Sequence, residues 1–277
     1  MIAPRKLPTR RDAFALPIVL VVILIGGVML MLALDRQGMQ SRSSLRVQQG
    51  YDEFHTSRGL LQIIETWLRS GGNRPLLDRL DDQGMAFSLN VRGQPPVRVY
   101  MEDAQGSVMT DVLYLQGNSG RDAQRLLIAM RDAAVGDPDP TRFFRSAGPT
   151  QVSVHTAPPE VLRALVTSTV GPNYADAFID SLLKARQQQR LRSTDIVAAL
   201  NAATVPAGRS RNRLNRLMTV NPQLWKVEVE IGDPGNLTAR YRGVLQNRPP
   251  DRTGASGPFQ RRLSVISWEK ISTTDQP

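Results

Sequence analysis

From Phe14 to Leu34 the chain runs through twenty-one consecutive residues without a charge. A helix of that length, at about 1.5 Å per residue, spans a bilayer core of roughly 30 Å. Beyond it the periodicity changes and the helix does not stop. Val47, Tyr51, Phe54, Leu61, Ile64 and Leu68 recur at steps of three, four or seven between Arg and Gln, with Leu60, Ile63 and Trp67 widening the apolar face. This spacing predicts one long helix, apolar first and amphipathic afterwards, ending at Gly71-Gly72. Pro17 sits three residues after Phe14. It is harmless in a first turn if the helix begins near Phe14.

The pattern then shortens. From Phe87 to Leu113 the Val97-Val99-Met101 alternation and the Gly and Pro breaks predict short strands and turns. From about Ser119 to Asn215 helical periodicity returns. "RDAQRLLIAMRDAAV" is amphipathic, "DPDP" is a loop, and Val161, Leu162, Leu165 and Val166 form an apolar helical face. In front of that face Thr156 has the chemistry of an N-cap, Pro158 and Pro159 suit an opening turn, and Glu160 favours the helix dipole. A second helix follows over Tyr174 to Arg186 and a third from Ser193, another capping residue before Asp195. The last third alternates again. Trp225, Val227, Val229 and Ile231 share one strand face, "NLTARYRGVLQNR" and "RRLSVISWEK" supply further strands, and Gly235-Asn236 fits a hairpin turn.

Composition narrows the options without choosing among them. The 277 residues are 41% hydrophobic, enough for real cores. A net charge of +10 suits an anionic partner, although the basic residues are scattered. There is no cysteine, which excludes disulfides, Cys-ligated zinc and a thiol nucleophile. His55 and His155 lie far apart, and His155 is expected to make a local hydrogen bond near a helix start. No Ser-His-Asp order, metal-spaced His/Glu motif, phosphate-binding loop or dinucleotide turn is present, so no catalytic function is expected.

A cleavable secretory signal has an apolar core of about 7–15 residues and a small-x-small site, and nothing of that form follows Leu34. Arg5, Lys6, Arg10 and Arg11 precede the span, while Arg36, Arg42 and Arg46 follow it. That balance favours an inside N-terminus by a thin margin.

A short basic leader, a small residue, then Phe and an apolar helix resembles a type IV pilin or type II secretion pseudopilin precursor. The resemblance implies cleavage between Ala13 and Phe14 by a prepilin peptidase and N-methylation of Phe14. Ala13 stands where glycine is usual, and Ile18 stands where the fifth mature residue is usually glutamate. A carboxylate there sets subunit register by pairing with a neighbour's amine inside hydrocarbon. A subunit that lacks it needs no predecessor, as in the K-type minor pseudopilin. The stretch Val152, Ser153, Val154, His155, Thr156, Ala157, Glu160, Val161, Leu162, Leu165 resembles the opening of helix-hairpin-helix-like modules. These occur in DNA-binding proteins and in the helical domain of K-type pseudopilins. The DNA-binding members carry a Gly-hydrophobic-Gly turn, whereas this chain has Gly171 alone. "EDAQGSVMTDVL" resembles, in degenerate form, an acidic segment of the family. There Glu102, Asp103 and Asp111 are either oxygen ligands for a cation such as calcium or turn and surface carboxylates.

The implied fold is α+β: a pilin-like long N-terminal helix packed on an antiparallel sheet, with a large inserted helical (helix-hairpin-helix/SAM-like) domain. The boundaries are a leader at 1–13, a transmembrane helix at 14–34 and its periplasmic continuation at 35–70. Sheet segments follow at 71–115 and 216–277, around a helical insertion at 116–215. The implied function is that of a minor pseudopilin at the pseudopilus tip, starting or capping assembly and supporting export of folded proteins across the outer membrane. Its implied partners are the I- and J-type minor pseudopilins, the inner-membrane assembly platform and the prepilin peptidase. Its implied location is the inner membrane, single-pass, with the C-terminal domain in the periplasm. The alternative is a membrane-anchored helix-hairpin-helix protein that binds DNA.

Overall fold

A computed structural model describes residues 15–71, 74–112, 115–248 and 262–271, without the side chains of residues 15–22, 25, 248 and 262. The chain divides into two compact units, Met1–Trp67 and Leu68–Pro277. The first contains most of helix α1, Ala15–Ser70, which runs unbroken for 56 residues. Every residue from 26 to 56 is exposed, including the apolar run Val28 to Leu32. Among the described residues, no helix is long and apolar enough to cross a membrane. Phe14, where the predicted span begins, lies outside the described residues. At the end of the helix the Arg79 side chain lies against Gly71 and donates to the last-turn carbonyl of Leu68 at 3.3 Å.

In the second unit the regular sheet comes from both ends of the segment. Strands β1 (Met85–Leu89) and β2 (Val97–Asp103) precede a long helical stretch, and β7 (Leu224–Asp233), β8 (Asn236–Arg248) and β9 (Arg262–Ile271) follow it. All five pair antiparallel in the order β1-β2-β7-β8-β9. The alternation read from the sequence decides the faces. Val99, Met101, Trp225, Val227, Val229, Tyr241 and Leu245 are buried, and the register sets Val99 against Val229 and Met101 against Val227. The opposite face carries cross-strand ion pairs, Arg98 with Glu230 at 3.2 Å and Lys226 with Glu102 at 3.5 Å. The β7–β8 hairpin turns through Pro234-Gly235, one residue earlier than predicted, with Gly235 at φ +90°.

Between β2 and β7 the described residues form two small parallel strand pairs and five α-helices, with short 3-10 turns between them. Strand β3 (Val108–Met109) pairs with β4 (Phe144–Arg145), and β5 (Val152–Ser153) pairs with β6 (Met218–Thr219). The helices are α2 (Gly117–Ala133), α3 (Pro159–Thr169), α4 (Ala175–Gln188), α5 (Ser193–Ala202) and α6 (Arg209–Leu217). Their apolar faces share one core. Leu126 and Met130 of α2, Leu162 and Leu165 of α3, Phe178 and Leu182 of α4, Leu200 of α5 and Leu214 of α6 are all essentially inaccessible. Each such side chain stabilises the fold by roughly 1.5–3 kcal/mol relative to an exposed position.

Two predicted caps move. Helix α3 is preceded by Pro158, and no side chain caps it, so Thr156 is not its N-cap. Its fixed φ lets proline open the helix without a capping hydroxyl. Ser193 is the first residue of α5, whose cap position is Arg192. There the Asp195 carboxylate accepts the Arg192 N–H at 2.6 Å.

Gly243 is a site of close approach within the sheet. A Cβ on Gly243 would lie 2.5 Å from Cε3 of Trp268 and 2.6 Å from the Ser267 carbonyl. Trp268 is paired with Gly243 across the strands and stacks on Tyr241 at 6.0 Å between ring centroids. Gly243→Ala is expected to destabilise the protein by about 1–3 kcal/mol through displacement of the indole. A urea unfolding midpoint equal to that of the parent would contradict this packing.

Candidate functional site

Asp103 is the last residue of β2, and its side chain lies on the buried face, 7% exposed. Its carboxylate accepts the Ser153 hydroxyl and the Gln105 N–H, the latter at 2.8 Å. Gln105, fully buried, reaches further. Its amide donates to the Gln151 carbonyl at 2.8 Å, and its Oε1 accepts the N–H groups of Gln223 at 2.6 Å and Leu224 at 3.2 Å. The Ser153 N–H donates to the Gln105 carbonyl at 2.9 Å, and the Ala104 N–H to the Leu224 carbonyl at 3.1 Å. One side chain thus joins the chain leaving the sheet to the chain returning to it. Gly106 makes this possible, because a Cβ there would lie 2.6 Å from the Thr156 backbone.

Two arginines close the junction by binding carbonyls. Arg145 donates to those of Ser107 at 3.0 Å, Ala147 at 2.7 Å, Gln151 at 3.0 Å and Pro149. Arg186, near the end of α4, donates to the Val154 carbonyl and to Ala157 at 2.9 Å. The planar five-donor guanidinium is suited to gathering several carbonyls at once. Burial pushes the Arg145 guanidinium down to about 10, against the pull of Asp103. Arg186 is likewise lowered by burial.

His155 does not make the local bond expected of it. Its Nε2 lies 2.9 Å from the carbonyl of Val220, sixty-five positions along the chain. A carbonyl only accepts, so Nε2 carries the proton. Burial holds the imidazole below its ordinary 6.5, with the Val220 carbonyl and Asp103 opposing. Burial also raises the Asp103 carboxyl, against the hydrogen bonds from Ser153, Gln105 and Thr156. The two groups act oppositely on stability. The contribution of Asp103 is present at low pH and lost as pH rises through its raised value. That of His155 is present above the ordinary histidine range and lost as pH falls through its lowered value.

The predicted cation ligands are not brought together. Glu102 and Asp103 are successive strand residues and point to opposite faces; Glu102 is exposed and paired with Lys226. Asp111 is exposed beyond β3. Among the described residues there is no group of three or more acidic or histidine side chains placed to hold a metal ion. Asp103 is therefore neither a surface carboxylate nor part of a cation cluster; it is a buried acceptor. Ala13 and Phe14 lie outside the described residues, and of Ile18 only the helical backbone is described.

The turn after α3 bears on the DNA alternative. The N–H groups of Val170 and Gly171 both donate to the Val166 carbonyl, at 2.8 and 3.1 Å, and Pro172 has none. This hairpin offers none of these N–H groups to a phosphate.

No protein-family profile matches the chain, and no curated protein matches it. Among solved structures, a chain of the GspK–GspI–GspJ complex from the type 2 secretion system of enterotoxigenic Escherichia coli is similar. The identity is 14% and the TM-score 0.48, covering 84% of this chain and 100% of that one.

Gln105→Ala takes the Oε1 acceptor away from the half-buried Gln223 N–H and the buried Leu224 N–H and is expected to cost about 2 kcal/mol in urea unfolding. His155→Asn is expected to remove the His155 share of the stability loss on acidification from about pH 7 to 5. A variant whose stability falls as steeply as the parent's in that window would exclude His155 as the titrating group.

Proposed function

We propose that this chain is the precursor of a K-type minor pseudopilin of a type II secretion system. The observation that carries the reading is the course of α1. An unbroken helix covers Ala15 to Ser70 and runs through an uncharged stretch into a polar one. An antiparallel sheet that admits a helical module between β2 and β7 supports it, as the resemblance implies for this class.

In this reading a prepilin peptidase cuts before Phe14 and methylates the new amine, leaving residues 14–34 as the inner-membrane segment and the remainder in the periplasm. Twenty-one uncharged residues are long enough for that span. Ile18 places no carboxylate in hydrocarbon, so the subunit has no need of a preceding subunit's amine. It starts or caps the pseudopilus with the I- and J-type subunits on the assembly platform. The bulk of the helical module opposes further stacking. The role is assembly in support of protein export, without catalysis.

The test is co-expression of the full chain with a prepilin peptidase, followed by N-terminal sequencing and intact mass. A mature chain beginning at Phe14 and carrying one methyl group is expected. An uncleaved chain, or one cut after Leu34, would overturn the proposal.

A further inference from the structure

Two helices of the inserted module face each other with matching stripes. Residues 118, 121, 122 and 125 of α2 and 209, 212, 213 and 216 of α6 occupy positions i, i+3, i+4 and i+7, one face of each helix. Together they line a cleft of ≈ 410 Å³, a size that accommodates a small ligand or a few residues of chain, within the usual range of about 300–1,000 Å³. Its charge is unbalanced: Arg121, Arg125, Arg209, Arg213 and Arg216 surround a single carboxylate, Asp122.

Asp122 of α2 is buried and held by two arginines of α6. Arg213 donates to it at 2.9 Å and Arg216 at 2.7 Å. Burial acts to raise this carboxyl, but the hydrogen bonds and charges of Arg216 and Arg213 outweigh it and hold it below the usual carboxylate range. Arg125 reaches it only at 4.0 Å and is more than half exposed. Arg121 and Arg209 are exposed, and neither has an ion pair among the described residues. On the sheet, by contrast, Arg98, Lys226 and Arg240 each have a glutamate across the strands. Like charges gathered without counter-charges cost stability, so the cleft is arranged for a negative charge that comes from outside.

We propose that this cleft docks an acidic segment of a partner protein, with two or more Asp or Glu carboxylates entering between α2 and α6. The guanidiniums already hold one carboxylate in this setting, and Arg forks bind carboxylates in pairs of parallel hydrogen bonds. Asn118 and Asn212, one in each stripe, offer both donor and acceptor to a peptide backbone. Among the described residues no aromatic ring lines the cleft, so they supply no platform on which bases of a single strand would stack. The arginines also converge on one concavity rather than following a track of phosphates.

The experiment measures fluorescence anisotropy of a labelled oligoglutamate peptide with the full chain in non-ionic detergent, at low and high salt. A charge-matched DNA duplex and inorganic phosphate serve as competitors. Salt-sensitive peptide binding is expected, weakened about tenfold or more by Arg121→Gln with Arg209→Gln. The thermal midpoint of that double variant should equal or exceed the parent's, because it relieves repulsion. Arg131→Gln, on α2 but outside the cleft, should bind as the parent does. Charge reversal, Arg121→Glu with Arg209→Glu, leaves three arginines against three carboxylates in the lining and should abolish oligoglutamate binding. Peptide binding that is absent, or unchanged by either double variant, would overturn the proposal. So would tighter binding of the duplex, or displacement by phosphate at equal charge concentration.

Discussion

The second unit depends on one constraint: β2 and β7 are neighbours in the sheet, yet residues 104–223 run between them. The pairing of Asp103 with Trp225 forces both ends of that long excursion to one place. Closing a loop of this length costs only slightly more entropy than closing a shorter one. What is demanding is the chemistry at the neck, where backbone groups leave a buried strand and have no ladder to join. Gln105 answers with four polar contacts from one residue's side chain and carbonyl, and Asp103, Arg145 and Arg186 take up further donors and acceptors. A buried network of this kind stabilises only when its members are satisfied together.

From that neck the rest is organised by which surfaces are apolar. The sheet buries one face and balances charges on the other, and the helices of the insertion bury theirs in a common core. The two parallel strand pairs, too short to be a sheet, set where the helices start: β5 delivers the chain to α3, and β6 receives it from α6. His155 ties the same two segments by its bond to Val220. The arginine cleft forms where α2 and α6 meet, since only their packing aligns the two polar stripes.

Much of this was legible beforehand because it rests on short-range periodicity. The strand face Trp225, Val227, Val229 and the helix face Val161, Leu162, Leu165, Val166 follow from spacings of two and of three to four. The stop at Gly71 was visible as a breaker, although the Arg79 guanidinium that lies against it was not. Asp103 misled, because an acidic residue next to Glu102 reads like its neighbour. Only the strand pleat separates them, sending one to solvent and the other into the junction. Arg145 and Gln105 carry no local signal at all; their partners lie up to 119 residues away.

The sequence by itself determined the elements and the direction of the functional reading: the uncharged stretch behind Ala13-Phe14, the continuous helix, the strand alternation and the apolar helical faces. These depend on forces that act within a few residues, namely helix geometry, side-chain alternation and the proline and glycine conformational limits. Tertiary structure alone decided that β2 and β7 adjoin, that Asp103 is buried, that His155 reaches Val220, and that five arginines share one cleft. Each of these joins residues distant in sequence, and such pairings are set by how whole faces pack, which no local pattern encodes.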